Sequence, residues 1–206
     1  MDKDALRLLE TEAKAILGLK VHLRGVIEQL AQLCYDCRGR IIVTGLGKSG
    51  IVGRKLAATL ASVGTSSYFV HASEAAHGDL GVITSDDIVI ALSKSGHTEE
   101  LLSLVPSLKK LDIPLVVFTA DSNSPLAKEA NLVIDIGVET GDEVFGFLPT
   151  SSAIATMAAG DVLALLLMKK RGVDKKQFAN FHPGGNLGRL LKPVSQVMHT
   201  GKEIPK

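Results

Sequence analysis

Three short stretches of this chain carry side chains that could do chemistry. Ser93-Lys94-Ser95-Gly96-His97-Thr98 runs into Glu99-Glu100 and an apolar segment. The hydroxyls of Ser93, Ser95 and Thr98, the freedom of Gly96 and the amides of a helix start together suit a phosphate monoester. Taken alone, the same residues are better explained as a helix cap. A second loop, Gly45-Leu46-Gly47-Lys48-Ser49-Gly50, spells a dinucleotide fingerprint, yet it holds a lysine, and the next apolar run ends in His71 where an acidic ribose ligand would belong. A P-loop fails as well, because Ile42 stands where its first glycine is required. Lys48 read alone is as good a solvated lysine as a functional one. The third stretch, Pro149-Thr150-Ser151-Ser152, presents hydroxyls at the start of a long apolar segment. An N-cap explains part of it, but three such clusters at element ends can converge on one anion.

The elements that must position these loops are legible in the pattern. Residues 2 to about 36 place Leu6, Leu9, Ala13, Ile16, Leu17, Leu23, Ile27, Leu30 and Leu33 at helical spacing, which predicts one long or two broken helices. Five short apolar runs follow, at 41–43, 68–70, 88–92, 115–118 and 132–134, separated by helical patterns near 50–63, 98–110 and 124–129. That alternation predicts a doubly wound parallel α/β sheet covered on both faces. A helix from about 151 to 170 comes next, and then a segment broken by Pro183-Gly184-Gly185. In such a sheet ligands bind at the carboxyl ends of the strands, where all three clusters fall.

Composition narrows the function classes. The chain has 206 residues, 46% hydrophobic and 22% charged, enough to bury a substantial core. Lys and Arg number 23 against 22 for Asp and Glu, a net charge of +1 with no basic stripe, so nucleic acid is not an expected partner. Two cysteines exclude a disulfide framework and point to a reducing cytoplasm, and Met1-Asp2-Lys3-Asp4 is too polar for a signal peptide. The apolar run Ala153–Met168 is short for a bilayer span and carries Asp161, so it reads as a core helix and no membrane is expected.

In order along the chain, the Gly45–Gly50 loop, His71-Ala72-Ser73-Glu74-Ala75-Ala76-His77-Gly78-Asp79-Leu80-Gly81, the Ser-x-Ser-Gly-x-Thr loop, Pro149-Thr150-Ser151-Ser152 and Phe181-His182-Pro183-Gly184-Gly185-Asn186-Leu187-Gly188 resemble the sugar isomerase (SIS) domain of D-arabinose 5-phosphate isomerases. The Glu-Ala-Ala-His-Gly-Asp-Leu-Gly and His-Pro-Gly-Gly signatures are specific to that branch, whereas the serine-rich loop occurs across SIS domains. The resemblance implies a flavodoxin-like five-stranded parallel sheet with an N-terminal helix and C-terminal helices. It also implies a SIS domain over 1–192 and a tail over 193–206 that is similar to the lead into a CBS pair, through Val197-Met198-His199-Thr200-Gly201. The implied activity is reversible conversion of D-ribulose 5-phosphate into D-arabinose 5-phosphate for Kdo and lipopolysaccharide synthesis, in a homotetramer with shared sites.

That reaction moves a proton alpha to a carbonyl, so it needs a base, a group to stabilise the enediolate, an acid/base for ring opening and a phosphate anchor, but no cofactor. The resemblance puts catalysis on Lys48, Glu100 and His182: the lysine at the enediolate oxygen, the histidine as acid/base, and Glu100 as a second acid/base or orienting partner. Substrate binding is expected from Gly47, Ser49, Ser93, Ser95, Gly96, Thr98, Ser151, Ser152 and His77. One departure stands out. Where relatives carry Glu-Ala-Cys-Pro, this chain has Gly141-Asp142-Glu143-Val144-Phe145, and a gapless register sets Gly141 under the glutamate. Glu143 or Asp142 replaces it from a shifted loop, or the role has changed; Glu143 is carried as a catalytic candidate.

Other residues read plainly. Cys34 and Cys37 lack a second pair for zinc and sit at a helix end, so buried or idle thiols are expected. His71 and His77 lack a carboxylate at fixed spacing, so no required metal is expected, and His22 and His199 read as surface residues. Asp161 is expected to cap or pair. The competing functions are a non-catalytic sugar-phosphate sensor, an isomerase of a longer phosphosugar and a nicotinamide dehydrogenase. Sensors of this type carry a helix-turn-helix ahead of the domain, and the roughly 36 residues here contain no basic recognition helix. The His-Pro-Gly-Gly signature argues against the longer sugar.

Overall fold

The computed structural model describes residues 1–138, 143–185 and 198. Two helices come first: α1 (Lys3–His22), whose first turn is capped by the Asp2 carboxylate accepting from the Asp4 amide, and α2 (Val26–Asp36). The N-terminal periodicity is therefore two helices. Gly25, at φ +78°, makes the break, a conformation that costs a glycine nothing.

The five apolar runs form β1 (Ile41–Gly45), β2 (Ser67–His71), β3 (Ile88–Leu92), β4 (Leu115–Thr119) and β5 (Leu132–Asp135). All pairs are parallel and the order is β2-β1-β3-β4-β5, the flavodoxin-like arrangement expected. Between them lie α3 (Gly47–Ser62), α4 (Ala72–Ala76), α5 (Glu99–Lys110) and α6 (Pro125–Lys128), and the chain continues into α7 (Ser151–Lys170) and α8 (Lys175–Phe181). The stretch 71–81, legible in sequence only as a loop, folds into α4 and a 3-10 turn at Asp79–Val82.

Strands β1, β3 and β4 are buried at every position, whereas the edge strands β2 and β5 are partly open. One core packs Ile41, Val43, Ile90 and Phe118 under α1, α2, α3 and α7; the other packs Ile42, Val89, Ala91 and Val117 under α4 and α5. Each such side chain, fully withdrawn from water, contributes about 2 kcal/mol. Helix α7 is a core helix as expected, packed on α1, α2 and α3. Gly160 lets α3 and α7 close together, since a Cβ there would come within 2.8 Å of Leu56. Asp161, on the outer face of α7, pairs with Lys55 of α3.

This packing sets the N-termini of α3, α5 and α7 at the carboxyl edge of the sheet. Gly45 ends β1 level with His71 on one side and Leu92 on the other, so the 45–50 and 93–98 turns leave the sheet side by side at the point where strand order reverses.

Candidate functional site

The 93–98 turn is rigidly built. Ser93 Oγ lies 2.8 Å from Thr98 Oγ1 and accepts from the Gly96 amide at 3.1 Å, while Ser95 Oγ accepts from the His97 amide. The Lys94 carbonyl accepts from the Ala120 amide and from Thr119 Oγ1, and the Gly96 carbonyl from the Leu126 amide, which ties the turn to β4 and α6. Gly96 has φ +66°, and a Cβ on it would fall 1.9 Å from Ser124 Oγ, so only glycine fits. Because Thr98 is engaged with Ser93, α5 starts without a side-chain cap, and its first amides remain available to an anion. Glu100 sits half-buried in that first turn.

Helix α3 likewise starts without a side-chain cap. Its first turn holds Gly47, exposed Lys48 and half-buried Ser49. An ammonium at a helix N-terminus opposes the helix dipole, and Lys48 has no ion-pair partner among the described residues, which favours a ligand-directed role over a structural one. Lys48 and Ser49 line a pocket with Lys94, Pro149, Ser152 and Thr156.

The third helix start differs. Glu143, whose side chain is 0% exposed, fills the N-terminus of α7: its carboxylate accepts from the amides of Thr150 (3.0 Å), Ser151 (2.9 Å) and Ser152 (3.2 Å), from Ser152 Oγ, and from Lys94 Nζ at 3.1 Å. Burial pushes the carboxyl up, but the Ser152 hydroxyl, Lys94 and the Ser152 amide together outweigh it and hold the group below its usual value. Ser151 and Ser152, expected at the substrate, thus give their amides to a carboxylate of the chain itself. Ser152 still reaches the pocket. Thr150 Oγ1, Thr44 Oγ1 and His71 Nδ1 are buried without a hydrogen-bond partner among the described residues, and all three stand at the carboxyl edge of the sheet. A buried orphan of this kind calls for a partner beyond the described residues, a water or a ligand included.

His77 follows the last turn of α4 as its C-cap and is exposed. His182 lies elsewhere. Its ring stacks on Phe178 at 4.1 Å and its Nδ1 donates to the Phe178 carbonyl at 2.9 Å, and its Nε2 has no hydrogen-bond partner among the described residues. The neighbouring Phe181 ring packs at Gly64, just past the end of α3, whereas Lys48 is near its start. Sixteen helical residues at about 1.5 Å each separate those ends by roughly 24 Å. One chain therefore gathers Lys48, Ser49, Ser152 and the 93–98 turn with Glu100, and leaves His182 at the opposite end of the sheet.

One pocket residue went unread in the sequence: Lys94, overlooked among the hydroxyls of its own loop. A charged side chain inside a phosphate-type turn was the available signal for Lys94. Gly141, Asp142, His199, residues 186–188 and all of the 193–206 tail except Met198 lie outside the described residues. His22 is at the surface, paired with Asp135 at 3.0 Å. Cys34 is buried, which pushes its thiol up to about 12, and burial raises Cys37 too. Both are free thiols, Cys34 buried and Cys37 half-buried.

The family model for the SIS domain matches residues 34–166. The chain is 46% identical over 199 residues to the arabinose 5-phosphate isomerase KdsD of Salmonella typhi, covering 96% of this chain and 61% of that protein. It thus spans about three-fifths of that curated relative. The structure of E. coli CFT073 c3406 in complex with A5P superposes with a TM-score of 0.78 at 37% identity, over 89% of this chain and 100% of the other. A Listeria monocytogenes chain superposes with a TM-score of 0.84 at 33% identity, again over 89% and 100%.

Proposed function

We propose, because this chain belongs to the SIS domain family, that it interconverts D-ribulose 5-phosphate and D-arabinose 5-phosphate through an enediolate. The observation that carries the reading is the adjacency of Lys48, in its pocket, to a rigid hydroxyl turn and an uncapped helix start. The turn of Ser93, Ser95, Gly96 and Thr98 holds the phosphoryl oxygens, with Gly47 and Ser49 beside them. A base removes the proton alpha to the carbonyl; the resulting enediolate oxygen is stabilised by the Lys48 ammonium; and protonation at the neighbouring carbon completes the exchange. Hydrogen moves as a proton throughout, so the reaction is redox-neutral.

Glu100 and His182 are the proposed acid/base groups. His182, with Nδ1–H committed to Phe178, offers Nε2 for proton transfer. Its distance from Lys48 within one chain supports a homotetramer in which another copy delivers it. Glu143 serves by position, its lone pairs already engaged. The product supplies synthesis of the lipopolysaccharide sugar Kdo in the cytoplasm. The test is incubation with D-ribulose 5-phosphate in deuterated water, followed by NMR. Arabinose 5-phosphate labelled at C2 is expected; tight binding with no turnover and no label overturns the enzyme in favour of a sensor.

A further inference from the structure

We propose that Lys94 is a further substrate-contacting residue of this chain, aimed into the pocket by Glu143. This rests on the sugar-phosphate reading of the same pocket. The ammonium rises from the phosphate-type turn, its side chain 27% exposed, and gives one hydrogen bond to Glu143. An ammonium has three protons, so two remain beside the bond to Glu143, and Lys94 lines the same pocket as Lys48, Ser49 and Ser152.

Glu143 is a fixed post for this arrangement. Three α7 amides and the Ser152 hydroxyl grip its carboxylate independently of Lys94, so it stays in place whether or not the lysine is engaged by a ligand. The charges then do not balance. Two ammonium groups line the pocket, and the one carboxylate is already compensated by the positive end of α7. An anionic oxygen of a ligand restores the balance, and in a partly enclosed site that attraction is stronger than in bulk water. If Lys94 were only a counter-ion for the α7 cap, its loss would change stability and leave ligand affinity untouched.

The ligand oxygen is either a phosphoryl oxygen or the enediolate oxygen, and the experiment separates them. Lys94→Met keeps the apolar stem and removes the charge. Its dissociation constants for inorganic phosphate and for arabinose 5-phosphate are measured by calorimetry, and kcat and KM by coupled assay. A tenfold or greater weakening for both ligands places Lys94 on the phosphoryl group. A tenfold or greater fall in kcat with phosphate affinity unchanged places it on the enediolate. Values all within twofold of the parent protein overturn the proposal, whatever happens to thermal stability. Lys94→Gln repeats the measurement should the Met variant not fold. Turnover by the unmodified protein tests the isomerase reading separately. Glu143→Gln tests the aiming: because Glu143 also holds Ser152, it should still cost kcat/KM in the Lys94→Met background, but less than in the parent, and an equal fold-loss in both backgrounds would show that Glu143 does not act through Lys94.

Discussion

Replacing Glu143 by Ala is the sharpest probe of how this site is held together. The side chain is fully buried and is the acceptor for three backbone amides, one hydroxyl and one ammonium. Loss of a helix cap costs about 1–2 kcal/mol. Removing one partner of a buried ion pair costs about 3–5 kcal/mol, but Lys94 is partly exposed and water can re-solvate it, which pulls the sum down to roughly 3 kcal/mol. For a chain of this size that lowers Tm by about 6–12 °C. The pH dependence carries a sign. Because the folded carboxyl titrates below its ordinary value of 4.5, its contribution is fully present above that value and is lost as pH falls through the lower, folded one. Urea denaturation of the parent and Glu143→Ala proteins should show a constant gap from pH 8 to about 5 and a closing gap below about 4.5. A gap at pH 7 under about 0.5 kcal/mol, or one that persists undiminished at pH 3, refutes the argument.

Three further outcomes follow from particular contacts. Gly96→Ala forces a side chain into a positive-φ site and onto Ser124; it should cost about 2–3 kcal/mol and raise KM at least tenfold, checked by thermal melts and steady-state kinetics, and a KM within twofold removes the turn from substrate binding. Inactive Lys48→Ala and His182→Ala subunits, mixed and reassembled, should regain part of the isomerase activity, because one of the two sites that a hybrid pair shares combines an intact Lys48 with an intact His182 from the other chain while the reciprocal site carries both substitutions; no recovery after confirmed subunit exchange argues against a shared site. Native Cys34 and Cys37 should react with a disulfide reagent at pH 7.5 far more slowly than in guanidinium, as both thiols are raised by burial, and stoichiometric reaction within seconds would contradict that.

The sequence alone determined whatever depends on neighbours along the chain. Continuous apolar runs located all five strands, the 3.6-residue pattern located every helix but α4 and α8, and glycine beside hydroxyls at strand ends marked the 93–98 turn and the start of α3, because turn and cap chemistry is local. Tertiary structure decided which of the three helix starts remains open. Residues 94 and 143 stand 49 positions apart, and nothing in their local pattern signals that one carboxylate will take up the α7 amides and bind the Lys94 ammonium. Nor does any motif reveal that α7 and α8 carry His182 to the far end of the sheet, since a conserved-looking signature states chemistry and not distance. Only packing, by placing Phe181 against Gly64 and α7 along α3, decides that His182 stands far from Lys48 within one chain.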